Sequence, residues 1–247
     1  MRNPNRDKVF HFRQFDVSNC HAAMKVGTDG VLLGAWALHH LRDSRLQRVL
    51  DAGTGTGVIA LMVAQEAAEA GITGIDIDPD AVAEAAGNFA RSKWAPRLAA
   101  MRADFSDLAP GQSAGYDLVI SNPPFFTNGE TAPDAQRRQA RHAGSLSPLT
   151  LTRMAPALLA PQGVLAMVSM PESRQQIETE IALARLRLRR LTEVVTIHGK
   201  APRRHMWLIG TESQGDPVYD RLVIRERDNT PTESYARLVA PYYIDVK

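Results

Sequence analysis

Two stretches of the 247-residue chain hold residue types that could do chemistry. The first is S-N-P-P-F-F, residues 121–126, directly after the apolar run Tyr116-Asp117-Leu118-Val119-Ile120. Tandem prolines donate no N–H, have a fixed φ and hold the preceding residue out of the helical region, so Asn122 and Pro123 form a stiff, extended edge. Such an edge presents hydrogen-bond acceptors and few donors. The second is V-L-D-A-G-T-G-T-G-V-I-A-L, residues 49–61, in which Asp51 ends an apolar run and Gly53, Gly55 and Gly57 lead into a helical pattern. Glycine permits the tight turn and lets backbone approach a ligand that a β-carbon would hold off. A plain turn between strand and helix would also use glycine. Asp76, however, ends the next apolar run 19 residues after Gly57, near the ~20-residue offset at which an acid meets ribose hydroxyls in nucleotide-binding sheets. The dinucleotide fingerprint would place glycine at position 58, where the chain has Val58, and this argues against NAD.

From residue 46 onward, short β-branched runs alternate with alanine-rich helical runs, an α/β pattern. Strands are expected at Arg48–Asp51, Ile72–Ile77, Leu98–Arg102, Asp117–Ser121, Val164–Ser169, Glu193–Ile197 and Met206–Gly210, with helices near 56–69, 79–91, 146–159 and 172–187. The expected fold is a seven-stranded, mostly parallel, Rossmann-like sheet with helices on both faces. Ahead of it lie an extended segment, 9–20, and the helical run D-G-V-L-L-G-A-W-A-L-H-H-L. After it come a strand, a polar turn and a short helix starting near Pro231 and Thr232. We expect one domain over 1–247, with 1–45 an N-terminal extension packing on the sheet. Open sheets of this kind bind ligands at the carboxyl ends of their strands, and both stretches sit there.

Composition narrows the classes further. No apolar stretch approaches the ~18 residues of a membrane helix, and the first residues have no apolar block like that of a signal peptide. The chain is therefore expected in the cytoplasm. A single cysteine, Cys20, precludes an internal disulfide, and no histidine–cysteine spacing implies a metal. The net charge is only +2, yet Arg185, Arg187, Arg189, Arg190, Lys200, Arg203 and Arg204 face one acid, Glu193, within residues 185–204. That asymmetry hints at a polyanionic partner, although a solvated basic face has the same composition.

The pattern D-x-G-x-G-x-G resembles motif I of the class I methyltransferases that use S-adenosylmethionine, and N-P-P-F resembles motif IV of the amino-methyltransferases, which act on nitrogens attached to a planar unsaturated centre. The resemblance implies that Asp51 attracts the cofactor's amino group beside Gly53, Gly55 and Gly57. It puts Asp76 and Ile77 at the ribose, and Asp104 at the adenine with Phe105 packed beside the ring. Asp104 alone reads equally as a helix N-cap. The loop with Lys25, Gly27, Thr28 and Asp29 would close over the cofactor's methionine end, or else Thr28 or Asp29 simply caps the next helix. By the same resemblance the Asn122 side-chain carbonyl and the Pro123 backbone carbonyl orient the substrate amino group. Pro124 stiffens them, and Phe125 stacks on the flat face of the substrate. No strong general base is needed, because the proton leaves after the nitrogen has become cationic.

Over nearly its whole length the chain is similar to the bacterial enzymes that methylate N6 of the adenine beside the anticodon of a valine tRNA (adenine 37). The matching stretches are F-R-Q-F (12–15), M-K-V-G-T-D-G-V-L-L-G-A-W-A (24–37), A-L-M-V-A-Q (60–65), S-N-P-P-F-F, Q-R-R-Q-A-R (136–141) and R-L-V-I-R (221–225). A tRNA partner follows, with Arg137, Arg138, Arg141, Arg203 and Arg204 expected at its phosphates and Arg185–Arg190 read as a solvated helix end. Phe125 stands where adenine enzymes often carry tyrosine and guanine-N2 enzymes of ribosomal RNA often carry phenylalanine, so the latter class stays open. A protein glutamine methyltransferase would usually bring a substantial domain before the sheet, where this chain has about 45 residues. A non-catalytic RNA-binding module would not need intact Asp51, Asp76, Asn122 and Pro123.

Overall fold

The computed structural model describes residues 9–20, 26–108, 115–124, 146–212 and 215–246. In chain order its regular elements are β1 (Val9–His11), β2 (Asp16–Ser18), α1 (Thr28–His40), β3 (Arg48–Ala52), α2 (Val58–Glu66), β4 (Gly71–Asp76), α3 (Pro79–Arg91) and β5 (Leu98–Arg102). They continue with β6 (Tyr116–Ser121), α4 (Pro148–Leu158), β7 (Leu159–Ser169), α5 (Arg174–Leu183), β8 (Arg187–Ile197), β9 (Arg204–Gly210), β10 (Val218–Arg225) and α6 (Glu233–Val239). The large sheet has the order β10-β8-β9-β7-β6-β3-β4-β5. Within it β9 runs antiparallel to its neighbours, β7 and β8. The other strands point the same way, so Asp51, Asp76 and Asn122 come to one edge.

Helices cover both faces because neighbouring strand residues alternate between two cores. Val49, Leu118 and Ile120 pack with Leu33, Trp36, Leu61 and Phe89 from α1–α3. Leu50, Val119 and Leu165 pack with Leu151, Leu158 and Ile177 from α4 and α5. Helix starts follow the local chemistry. The Asp78 side chain accepts from Asp80 N with Pro79 at the first helical position, Ser147 accepts from Thr150 N, and Thr232 accepts from Tyr235 N.

Three features depart from the sequence expectation. The strand expected after the sheet joins it, so the sheet has eight strands, with β10 parallel to β8. The segment 9–20 pairs with itself as the β1–β2 hairpin. Phe12 of that hairpin stacks on Phe15 at 4.6 Å and lies parallel to Tyr243 at 5.9 Å. Lastly, the helix expected to reach 187 ends at Leu183, where Arg185 turns left-handed at φ 55°. Arg187, Arg189 and Arg190 therefore lie in β8, not on a helix end. A bulge between Leu188 and Arg190 breaks the two-residue alternation, so that the buried Leu186 and Leu191 stand an odd number of residues apart.

Among the described residues no helix is long and apolar enough to cross a membrane, and no group of metal-ligating side chains occurs.

Candidate active site

Three backbone turns at the carboxyl edge place the residues singled out above. After β3 the chain makes the glycine loop, whose Gly53 N and Thr54 N both donate to Ile75 O of β4, at 2.9 and 2.8 Å. Gly53, Gly55 and Gly57 all have positive φ, 71°, 55° and 81°, a conformation costly for any residue with a β-carbon. Their surroundings differ. A β-carbon at Gly57 would lie 2.4 Å from Phe89 Cε1, and one at Gly53 would lie 2.5 Å from Leu146 Cδ2, whereas one at Gly55 meets nothing within 4 Å among the described residues. Gly53 and Gly57 thus serve the packing of the loop, and Gly55 is the one of the three that faces open space. Gly57→Ala is expected to cost about 2–4 kcal/mol, the sum of left-handed strain and overpacking, read as a lower urea midpoint. Gly55→Ala is expected to cost no more than the strain, about 1–2 kcal/mol.

Asp51 is fully buried. Its Oδ2 accepts from Thr54 Oγ1 at 2.7 Å and from Ala60 N at 3.2 Å, while its Oδ1 is buried with no partner among the described residues. Burial pushes the carboxyl up to about 7, against the pull of those two hydrogen bonds, and the nearby Asp76 charge adds to the rise. Asp76 is half-buried. Its Oδ2 accepts from Gly55 N at 3.0 Å and its Oδ1 from Asp78 N at 3.0 Å, and burial raises its pKa too. Asp76 therefore fixes the glycine loop as well as lining the edge. Ile77 follows it, with its carbonyl accepting from Arg102 Nε at 3.3 Å. Asp104 does act as an N-cap, its Oδ1 accepting from Ser106 N and Oγ at 2.9 and 2.7 Å, while Phe105 is buried. A buried acceptor without a donor among the described residues, next to a loop that they leave open at Gly55, suits a ligand that brings a cationic amino group to Asp51.

Asn122 lies between the end of β6 and α1. Ser121 Oγ donates to Ala52 O at 2.8 Å, which locks the end of β6 to the end of β3. Asn122 Nδ2 is 3.6 Å from where a β-carbon on Gly30 would stand, and its Oδ1 is buried with no partner among the described residues. Buried polar atoms are nearly always satisfied, so two orphaned oxygens at one sheet edge, Asp51 Oδ1 and Asn122 Oδ1, mark a place built to receive donors. Pro123 is buried and Pro124 half-buried beside it.

The structure redistributes other expected roles. Gly27, not Thr28 or Asp29, is the N-cap of α1. Asp29 Oδ2 accepts from Arg204 Nε at 2.9 Å, so the acid expected at the cofactor and the cation expected at RNA are partners. Arg203 is exposed beside them. Lys25, Phe125, Arg137, Arg138 and Arg141 lie outside the described residues.

Sequence reasoning missed Glu84 and Asn88. Both are buried on α3. The Asn88 amide accepts from Ser18 N at 2.8 Å and donates to Ser18 O at 3.0 Å and to Thr56 O at 2.8 Å, tying β2 to the glycine loop. Glu84 Oε1 accepts from the Ser18 hydroxyl and from Cys20 N. The signal was present: two polar residues four apart, hence on one face, interrupt an alanine-rich helix.

A parallel sheet with this glycine loop, an acid ending its second strand and an acceptor-rich N-P-P turn ending the fourth defines a class I methyltransferase. The chain belongs to the methyltransferase small domain family, whose model matches residues 33–184. It is 41% identical to a Porphyromonas gingivalis protein over 241 residues, 95% of this chain and 94% of that one. It is 38% identical to a Tolumonas auensis protein, covering 95% and 96%, and 37% identical to one from Escherichia coli O157:H7, covering 97% and 96%. All three are named tRNA1(Val) (adenine(37)-N6)-methyltransferase. Among solved structures, the fold matches a predicted O-methyltransferase from Agrobacterium tumefaciens at TM-score 0.67 and 19% identity, covering 87% of this chain and 96% of that one. It also matches a Thermus thermophilus 16S rRNA N2 G1207 methyltransferase at TM-score 0.57 and 20% identity, covering 83% and 50%.

Proposed function

We propose that this protein is an S-adenosylmethionine-dependent tRNA methyltransferase that modifies N6 of adenine 37 in a valine tRNA, acting in the cytoplasm as one domain with residues 1–45 as its extension. The observation that carries the reading is the buried Oδ1 of Asn122, without a hydrogen-bond partner among the described residues, at the end of the strand that precedes two prolines. An exocyclic adenine nitrogen is a poor nucleophile because its lone pair is delocalised into the ring. Asn122 Oδ1 and the Pro123 carbonyl accept its two N–H bonds and turn the lone pair out of conjugation. They also favour the positive charge that grows on nitrogen as it attacks. Pro124 removes the backbone freedom that would let these acceptors wander.

S-adenosylmethionine supplies an electrophilic methyl group. Asp51 Oδ1 holds its amino group, Asp76 holds the ribose, and the open face of Gly55 admits it. Asp104 keeps its second oxygen for the adenine while the first caps its turn. The tRNA adenine as substrate is supported by relatives of that name at 37–41% identity over nearly the full chain. Incubation with radiolabelled-methyl S-adenosylmethionine and unmodified valine tRNA, followed by digestion to nucleosides, is expected to put label in N6-methyladenosine. Label in N2-methylguanosine, or in ribosomal RNA alone, would overturn the adenine assignment and leave the transfer chemistry standing.

A further inference from the structure

We propose that the β8–β9 turn and the turn after β10 form a cationic rim that takes backbone phosphates of the tRNA through Lys200, Arg203 and Arg227; this rests on the tRNA-methyltransferase reading. The topology sets the place. β8 and β10 run with β6, and β9 runs against them, so residues 198–203 and 226–230 lie at the same edge as Asn122. In the sheet order β8 stands three strands from β6 and β10 four, which is about 14 and 19 Å at the usual strand spacing. A rim at that range is reached by the chain flanking a base presented to Asn122.

The two turns are stiff and joined. Lys200 N donates to Ile197 O at 3.0 Å, Arg203 N to Val194 O at 2.8 Å, and His198 N to Arg225 O at 2.8 Å across the turns. Gly199 turns at φ 85°, and a β-carbon there would lie 3.8 Å from Arg227 Nη2, so that guanidinium rests against the neighbouring turn. Between them is a cavity of about 350 Å³ lined by His198, Glu226, Arg227 and Asp228.

Several neighbouring cations are already committed to acids. Arg190 is bonded to Asp220, Arg221 to Glu193 at 2.6 Å, Arg204 to Asp29 at 2.9 Å and Arg174 to Glu178 at 2.9 Å. Lys200, Arg203 and Arg227 are exposed and make no ion pair with the described residues. The nearby acids are engaged elsewhere: Glu226 faces His198 at 3.5 Å, and Asp228 Oδ1 accepts from Thr230 N and Oγ1 at 3.0 and 2.6 Å. Cations held on an ordered turn, with no ion-pair partner to lose among the described residues, bind phosphate at little ordering cost. Their continuity with the acceptor edge selects RNA over a membrane surface or an acidic protein.

The test uses the full chain with all three residues changed, Lys200→Glu, Arg203→Glu and Arg227→Glu, assayed on full-length unmodified valine tRNA across a salt series. The KM for tRNA is expected to rise at least about tenfold, and the slope of log affinity against log salt to fall by about 2. The kcat and the S-adenosylmethionine Kd are expected to stay within about twofold. A control that reverses three cations on the opposite edge, Arg42→Glu, Arg45→Glu and Arg187→Glu, changes the net charge equally and should leave the tRNA KM within about twofold, which separates local contact from net charge. An active wild type with an unaltered triple variant overturns the rim alone, as does an equal effect of the control. A wild type that methylates no tRNA overturns the functional reading and the rim with it.

Discussion

Asn122→Ala is expected to lower kcat by roughly 10²–10³-fold while the Kd for S-adenosylmethionine, read by calorimetry, stays within about twofold. In the proposed mechanism the side chain supplies an acceptor to the substrate, and among the described residues it makes no hydrogen bond to the glycine loop. Its loss therefore removes orientation and charge stabilisation without disturbing the cofactor half of the site. The neighbouring geometry is retained, because Ser121 Oγ still holds Ala52 O and Pro123 and Pro124 still fix the turn. Asn122→Asp keeps an oxygen in the same place and should retain more of the rate than alanine does. A wild-type rate in Asn122→Ala would remove the acceptor from the mechanism.

Asp51→Asn is expected to weaken S-adenosylmethionine binding by at least about 100-fold, since exchanging an ion-paired acceptor for a neutral group leaves a buried cation unpaired, while making the empty protein more stable at neutral pH. The two effects have one origin. The carbonyl oxygen of the substituted amide can accept from Thr54 Oγ1 and Ala60 N as Asp51 Oδ2 does, which puts an N–H donor where the orphaned oxygen stood and turns attraction for an ammonium into repulsion. Stability moves the other way. The folded carboxyl titrates at about 7, above its ordinary 3.8, so between those values the folded state binds more protons than the unfolded chain, and wild-type stability falls as pH rises. The advantage of Asp51→Asn should be absent near pH 4, grow to a few kcal/mol by about pH 7 and then level off. Cofactor affinity of the wild type should rise with pH up to about 7 because only the ionised carboxylate pairs with the cofactor's amino group, and the variant should lack this rise. Parallel stability curves for the two proteins from pH 4 to 8 would show that Asp51 is not held protonated by burial.

Much of this site could be read from residue types because each signal reports a local backbone demand. Three glycines before a helix and two prolines after a strand constrain φ wherever they stand, and Asp76 ends an apolar run whose partner strand is next in sequence. What escaped depends on distance in sequence. Nothing local says that Gly57 needs the space of Phe89, that Leu146 covers Gly53, or that Asp29 finds Arg204, 175 residues on. Asn88 is of the same kind, because an amide on a helix has no direction until the helix has packed. The strand content of residues 187–192 is hidden because the bulge between Leu188 and Arg190 puts two arginines in succession and breaks the two-residue alternation that marks a strand. β10 was found as a strand but not as a member of the sheet, since pairing to β8 is set by the antiparallel β9 between them in sequence.

The amide of Asn88 also sets how the molecule breathes. One side chain holds both the backbone of Ser18 and the carbonyl of Thr56, so the amino-terminal hairpin and the glycine loop share a fastening on α3, beside the bonds that Glu84 makes to Ser18 and Cys20 and that Asp76 makes to Gly55. Loosening either one frees the amide that orders the other, so amide exchange at Ser18 and in the glycine loop is expected to be coupled. On the proposed reading, S-adenosylmethionine bound at the glycine loop is expected to slow amide exchange at Ser18, far back in the chain, so that β2 reports occupancy of a site to which it contributes no ligand.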